Sequence, residues 1–180
     1  MRIVGNQLLC DTAITPDGCI VTIEDVGCNG TPAAYVRQDG ALTPGTPVHA
    51  LWVHTMGAHE CDTVGRRVRV QVLAGSRASG AGDLVFDGYL TVASGVIAIG
   101  DARDPDRKLL FGRPGRIHVR IFVTDKVEVV RFTDPPGEYP VSGPSDVTVL
   151  LPDDSGFTRA IGNTTIGWRQ RILLRHKRTH

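Results

Sequence analysis

Apolar and polar side chains alternate with a period of two over several stretches of this 180-residue chain. In RRVRVQVLA (66–74), Val68, Val70 and Val72 fall on one side of an extended backbone and Arg67, Arg69 and Gln71 on the other, the pattern of a half-buried strand. RIHVRIFVTD (116–125) sets Ile117, Val119, Ile121 and Val123 against Arg116, His118, Arg120 and Phe122. VEVVRF (127–132) follows directly after Asp125-Lys126, so these two runs predict a tight hairpin. DVTVLLP (146–152) closes the series, while the preceding DPPGEYPVSGP carries too much proline for a central strand. Earlier, CIVTIEDV (19–26) does not alternate cleanly but is rich in β-branched residues; AAYVRQ (33–38) lies between the turn clusters Asn29-Gly30-Thr31-Pro32 and Asp39-Gly40; and PVHALWVHT (47–55) is a mainly apolar run around Trp52.

Two further runs, Leu84 to Val92 and Val96 to Ile99, flank Ala93-Ser94-Gly95, where the chain reverses and glycine supplies a positive φ. A nucleophilic serine in Gly-x-Ser-x-Gly needs a strand before it and a helix after it. Here Val92 stands two residues before Ser94 and a β-like run follows, so Ser94 reads as a turn residue. About ten short strands with regular turns predict an all-β, antiparallel β-sandwich of jelly-roll or Greek-key type, a single domain over 1–154. Helical character is confined to TTIGWRQRILLRHKR near the C-terminus, where Gly167 weakens it.

Composition agrees: 21 glycines and 11 prolines suit short strands and turns. No window of 18 apolar residues encodes a membrane span, and the N-terminal stretch lacks the layout of a secretory signal, so the expected compartment is the cytoplasm. The net charge of +1 hides an asymmetry. Residues 155–180 carry Arg159, Arg169, Arg171, Arg175, Lys177 and Arg178 and no acid, a basic tail on an acidic body. Such a tail is either a contact for an anionic partner such as nucleic acid or a solvated terminus.

Chemistry-bearing residues are scattered. HALWVHTMGAHEC (49–61) offers His49, His54, His59, Glu60 and Cys61, donor types suited to zinc. His49 and His54, five residues apart, would point to opposite faces of a strand, which leaves His54, His59 and Cys61 as the set that could converge, through the Gly57 turn. Cys61 with His59 or His118 would make a thiol nucleophile only in an electropositive, partly exposed setting. Cys10, Cys19 and Cys28, spaced by nine, do not match the short paired spacing of zinc ribbons and read as buried or incidental thiols. Acids gather in GDARDPDRK (100–108) as Asp101, Asp104 and Asp106, and in DPPGEYP as Asp134 and Glu138 beside Tyr139. Loops at the ends of a rigid sandwich commonly carry recognition, and acids with an exposed tyrosine suit a basic protein partner. Arg67, Arg69, Arg116 and Arg120 would form a basic strip if their strands share a sheet, although pairing with acids across strands competes with that outcome.

DGYLTVASGVIAIGDA, GRIHVRIFVTD and DVTVLLP, spanning residues 84–152, together resemble the small all-β bacterial proteins that act as inhibitors or immunity partners of toxins and nucleases, among them immunity factors of NAD-hydrolysing toxins. In that group a strand, a Ser-Gly turn and a second strand ending in Gly-Asp precede a valine-rich run. The resemblance implies stoichiometric binding of a toxin or enzyme and no catalysis; no cofactor is expected. The expected function is therefore protein binding, with Asp101, Asp104, Asp106, Asp134, Glu138 and Tyr139 as the contact residues. The competing expectations are a metal-dependent jelly-roll enzyme using His54, His59 and Cys61, and nucleic-acid binding through the tail.

Overall fold

The structure, a computed structural model, describes residues 5–28, 33–36, 47–104, 107–125, 129–133 and 136–159. Within them the chain forms β1 (Gln7–Ile14), β2 (Ile20–Asp25), β3 (Ala34–Val36), β4 (Ala50–His54), α1 (Ala58–Val64), β5 (Val68–Ala74), β6 (Asp83–Val92), β7 (Val96–Gly100), β8 (Lys108–Phe111), β9 (Gly115–Thr124), β10 (Val129–Thr133), β11 (Pro136–Pro140), β12 (Asp146–Leu151) and β13 (Thr158–Arg159). A five-stranded sheet runs β1-β5-β12-β9-β6 and a six-stranded sheet β13-β8-β7-β2-β4-β3. Among the described residues β10 and β11 pair only with each other.

The alternating runs bury the faces that their pattern marks. Val68, Val70 and Val72 of β5, Ile117, Val119 and Ile121 of β9, and Val147 and Val149 of β12 meet Val21 and Ile23 of β2, Leu51 and Val53 of β4, and Ile97 and Ile99 of β7 in one core. Each such side chain contributes about 1.5–3 kcal/mol when removed from water, and two facing sheets that share one core make a sandwich. Pairing is antiparallel except for β5 with β12 and β3 with β4. The sandwich extends past the boundary read at 154, because β13 pairs with β8 and Phe157 joins the core. Residues 160–180, with the helical stretch and most of the basic tail, lie outside the described residues. No helix among the described residues is long and apolar enough to cross a membrane.

Two expected hairpins do not form. β6 pairs with β9 in one sheet and β7 with β2 and β8 in the other, so Ala93-Ser94-Gly95 is a crossing between layers. Gly95, at φ 74°, still supplies the positive φ expected of it. β9 has β12 on one side and β6 on the other, and β10 takes β11 as its partner. The proline-rich segment is thus a strand of a separate ribbon and not a central one, as its prolines require. Four of these elements have no counterpart among the runs read from the sequence: β1, β8, β13 and α1.

β5 and β6 are separated in their sheet by β12 and β9, so the connection between them has to pass across both. Gly75 N–H donates to the Leu151 carbonyl (2.8 Å) and Arg120 donates to the Ser76 carbonyl (3.1 Å). Gly82, at φ 105°, packs on the Val123 carbonyl. Leu150 and Phe122 lie off the parity of the shared core and are nonetheless buried, and Leu150 lines a cleft with Gly75 and Ser76 of the crossing segment.

Candidate functional site

α1 is capped by Gly57 before it and by Gly65 after it, whose φ of 67° is left-handed, the helix stop that glycine favours. Glu60 is 5 % exposed, and its carboxylate turns back to accept the Gly57 N–H at 2.8 Å, satisfying a donor that the first helical turn leaves open. The same carboxylate accepts the Ser142 N–H at 2.6 Å and the Ser142 hydroxyl at 2.9 Å. Burial works to raise the Glu60 pKa, but these donors and the nearby His54 outweigh it and hold the carboxyl below its ordinary range. Met56 N–H bonds the Pro144 carbonyl at 3.1 Å, and Gly143 sits so close to Thr55 that a Cβ would lie 2.6 Å from its carbonyl carbon. The stem leaving β11 is therefore clamped to α1 and to the segment before it.

From this stem the β10–β11 ribbon extends outside both sheets. Every described residue of β11 is exposed, as are Val129 and Arg131 of β10. Arg131 and Glu138 face each other across the ribbon at 3.0 Å. Tyr139, 42 % exposed, meets the His59 ring of α1 edge-on, with centroids 6.5 Å apart.

The expected contact residues divide between two places. Glu138 and Tyr139 sit on this ribbon. Asp101 and Asp104 belong to the turn after β7, where Asp101 is only 8 % exposed. The Asp101 carboxylate accepts Asp17 N–H at 2.6 Å and Arg103 N–H at 2.8 Å, so it organises the turn from inside. Asp106 and Asp134 lie outside the described residues.

The structure does not gather His54, His59 and Cys61. Among the described residues, donor atoms of three His, Cys, Asp or Glu side chains come within 4.8 Å of one another only at Asp25, Cys28 and His49. His54 ends β4 with its side chain exposed and His59 lies on α1, while Cys61 is buried in the core. A converging set needs side chains on one wall of a cavity, and the helix after Gly57 turns the Cys61 thiol inward. Burial, with the Asp62 and Glu60 charges adding to it, pushes that thiol's pKa up despite the hydrogen bond from the Val68 backbone, the opposite of what a thiolate nucleophile requires. Cys19, half-buried, is raised too, first by burial and then by Glu60.

The arginines divide in the same way. β5 and β9 share a sheet, but β12 separates them. Arg69 makes a two-pronged contact to Asp11 of β1, at 3.1 and 2.7 Å, which places its counter-charge across the strand pair. Arg116 stacks over Tyr89 at 4.3 Å. His118 meets Asp87 at 2.6 Å, and the two line a cleft of about 420 Å³ with Arg120, Ser76 and Asp153.

The crossing between layers depends on Asp25. This residue ends β2 at a core-facing position and is 2 % exposed. Its carboxylate accepts Ala93 N–H at 2.9 Å and Ser94 N–H at 3.1 Å, together with the Ser94 hydroxyl and, at 3.2 Å, the Cys28 thiol. Burial works to raise the Asp25 pKa; the Ser94 hydroxyl, the Cys28 thiol and the two backbone donors reverse that and leave it lowered. Ser94 is thus a clamp residue at the crossing. No protein-family model, no curated protein and no solved structure matches this chain.

Proposed function

We propose that this protein is a binding module whose β10–β11 ribbon grips a protein partner, and that its action is stoichiometric inhibition of a toxin or enzyme. The observation that carries the reading is the ribbon itself. A two-stranded ribbon is marginal alone in water, and this one joins neither sheet. Buried Glu60 nevertheless fastens its stem, so an exposed tyrosine and valine are held in place at the surface. Tyrosine is enriched among residues that dominate binding energy, because its ring offers large contact area at low conformational cost.

A photo-crosslinking amino acid at position 139 of the full chain, in cells that naturally produce it, tests the reading. One protein should crosslink, a Tyr139→Ala chain should bind that protein at least about tenfold more weakly, and wild type should block its activity at a one-to-one ratio. Absence of any crosslinked protein, or equal binding by the variant, refutes the ribbon as the contact. Tyr139→Ala is expected to leave folding stability within about 0.5 kcal/mol, as for other surface substitutions.

A further inference from the structure

Asp25, Cys28 and His49 come from three separate places, the end of β2, the turn that follows it and the approach to β4, and their donor atoms meet within 4.8 Å. The Asp25 N–H donates to the His49 carbonyl at 2.9 Å, which fixes the two backbones beside each other. His49 Nδ1 is shielded from solvent and has no hydrogen-bond partner among the described residues, a costly state for an imidazole nitrogen. Asp25 has its outer positions filled by the Ala93 and Ser94 donors, which orient it. The remaining contact on Oδ2 is the Cys28 thiol at 3.2 Å.

We propose that Asp25, Cys28 and His49 form a binding site for a borderline-soft divalent transition metal, zinc above all. Thiolate and imidazole together select such ions over magnesium or calcium, which prefer all-oxygen shells. The metal–sulfur bond forms as the thiol proton leaves to solvent, so the ion takes the place of the S–H···O contact and gains a ring nitrogen of His49 as a further donor. The Ala93 and Ser94 N–H groups then act as the outer-shell donors that aim the carboxylate. Occupancy fastens β2, the layer crossing and the start of β4 together.

Cobalt titration of the chelator-treated full chain tests this, since a cobalt–thiolate bond absorbs in the near ultraviolet. Wild type should bind one cobalt ion with that band, zinc should displace it, and magnesium should not. A Cys19→Ser/Cys61→Ser chain should keep the band. Cys28→Ser should lose it and His49→Gln should weaken zinc binding, each by at least about 100-fold, because even outer-shell changes cost 10–100-fold. Should Cys28→Ser fail to fold, alkylation of wild type decides: zinc should slow modification of Cys28 at least tenfold and leave Cys19 unchanged. Absence of the thiolate band in wild type, its persistence in folded Cys28→Ser, or alkylation of Cys28 at the same rate with and without zinc overturns the proposal.

Discussion

Replacing Glu60 by glutamine tests whether one buried carboxylate holds the ribbon in place. In the native chain its two oxygens accept Gly57 N–H at 2.8 Å, Ser142 N–H at 2.6 Å and the Ser142 hydroxyl at 2.9 Å. Glutamine keeps one acceptor oxygen and turns an NH₂ group toward the other donors. The Ser142 hydroxyl can rotate to accept from that group, but one backbone N–H is left facing a donor. An orphaned buried donor costs about 1–3 kcal/mol, and the surviving bond loses its charge assistance. The expected loss is about 3 kcal/mol, a fall in Tm of about 6–12 °C for a domain of this size. The carboxyl titrates below its ordinary range in the folded chain, so its contribution is complete above the unfolded pKa and disappears as pH falls through the folded one. The gap between wild type and variant should therefore be full at pH 7 and close progressively under acid. Urea denaturation at both ends of that range measures it, and hydrogen exchange should quicken in 129–133 and 136–140 more than in β5 or β9. A loss under about 1 kcal/mol at neutral pH, or a gap independent of pH, refutes the reasoning.

Ser94→Ala removes the hydroxyl that donates to Asp25 and should cost about 1.5–3 kcal/mol, the range for a hydrogen bond to a charged group, read from the urea midpoint at unchanged m-value. Gly82→Ala sets a Cβ against the Val123 carbonyl at φ 105° and should destabilise by at least about 2 kcal/mol; Gly80→Ala, where open space surrounds the site, should cost less. Arg69→Ala breaks a partly exposed pair with Asp11 and should change stability by less than about 1 kcal/mol, diminishing in high salt.

Alternation made β5, β9 and β12 legible because most of each strand buries one face, and side-chain parity is then visible along it. It could not say which strands pair. Neighbouring runs joined by two or three residues suggest a hairpin, yet Ser94-Gly95 serves a change of sheet equally well, since the turn chemistry is the same and only long-range packing decides. α1 escaped notice because AHECDTV has no apolar period; its signal was the bracket Gly57…Gly65 with Glu60 three residues past the first glycine. β1 is half exposed, with a register shift between Leu8 and Cys10, which blurs its alternation. Of the candidate contact residues, Glu138 and Tyr139 were findable as exposed groups in a proline-rich segment, which pairs as the strand β11. Asp25 looked like a break in the alternation of β2, whereas it holds the core-facing parity after Val21 and Ile23.

An acid at a core-facing position is informative for the same reason that it is rare. It persists only where several donors need it, and donors accumulate where a chain leaves one sheet ladder before joining another, since each buried N–H must find an acceptor. Asp25 stands at such a place for Ala93 and Ser94, and Glu60 at another for Gly57 and Ser142. Asp101 does the same for Asp17 and Arg103. All three carboxylates are at most 8 % exposed and each joins segments far apart in sequence. An acid on the core-facing parity of a strand, or at the third position of a glycine-bracketed helix, therefore marks a fastening point between separate segments before any pairing is known.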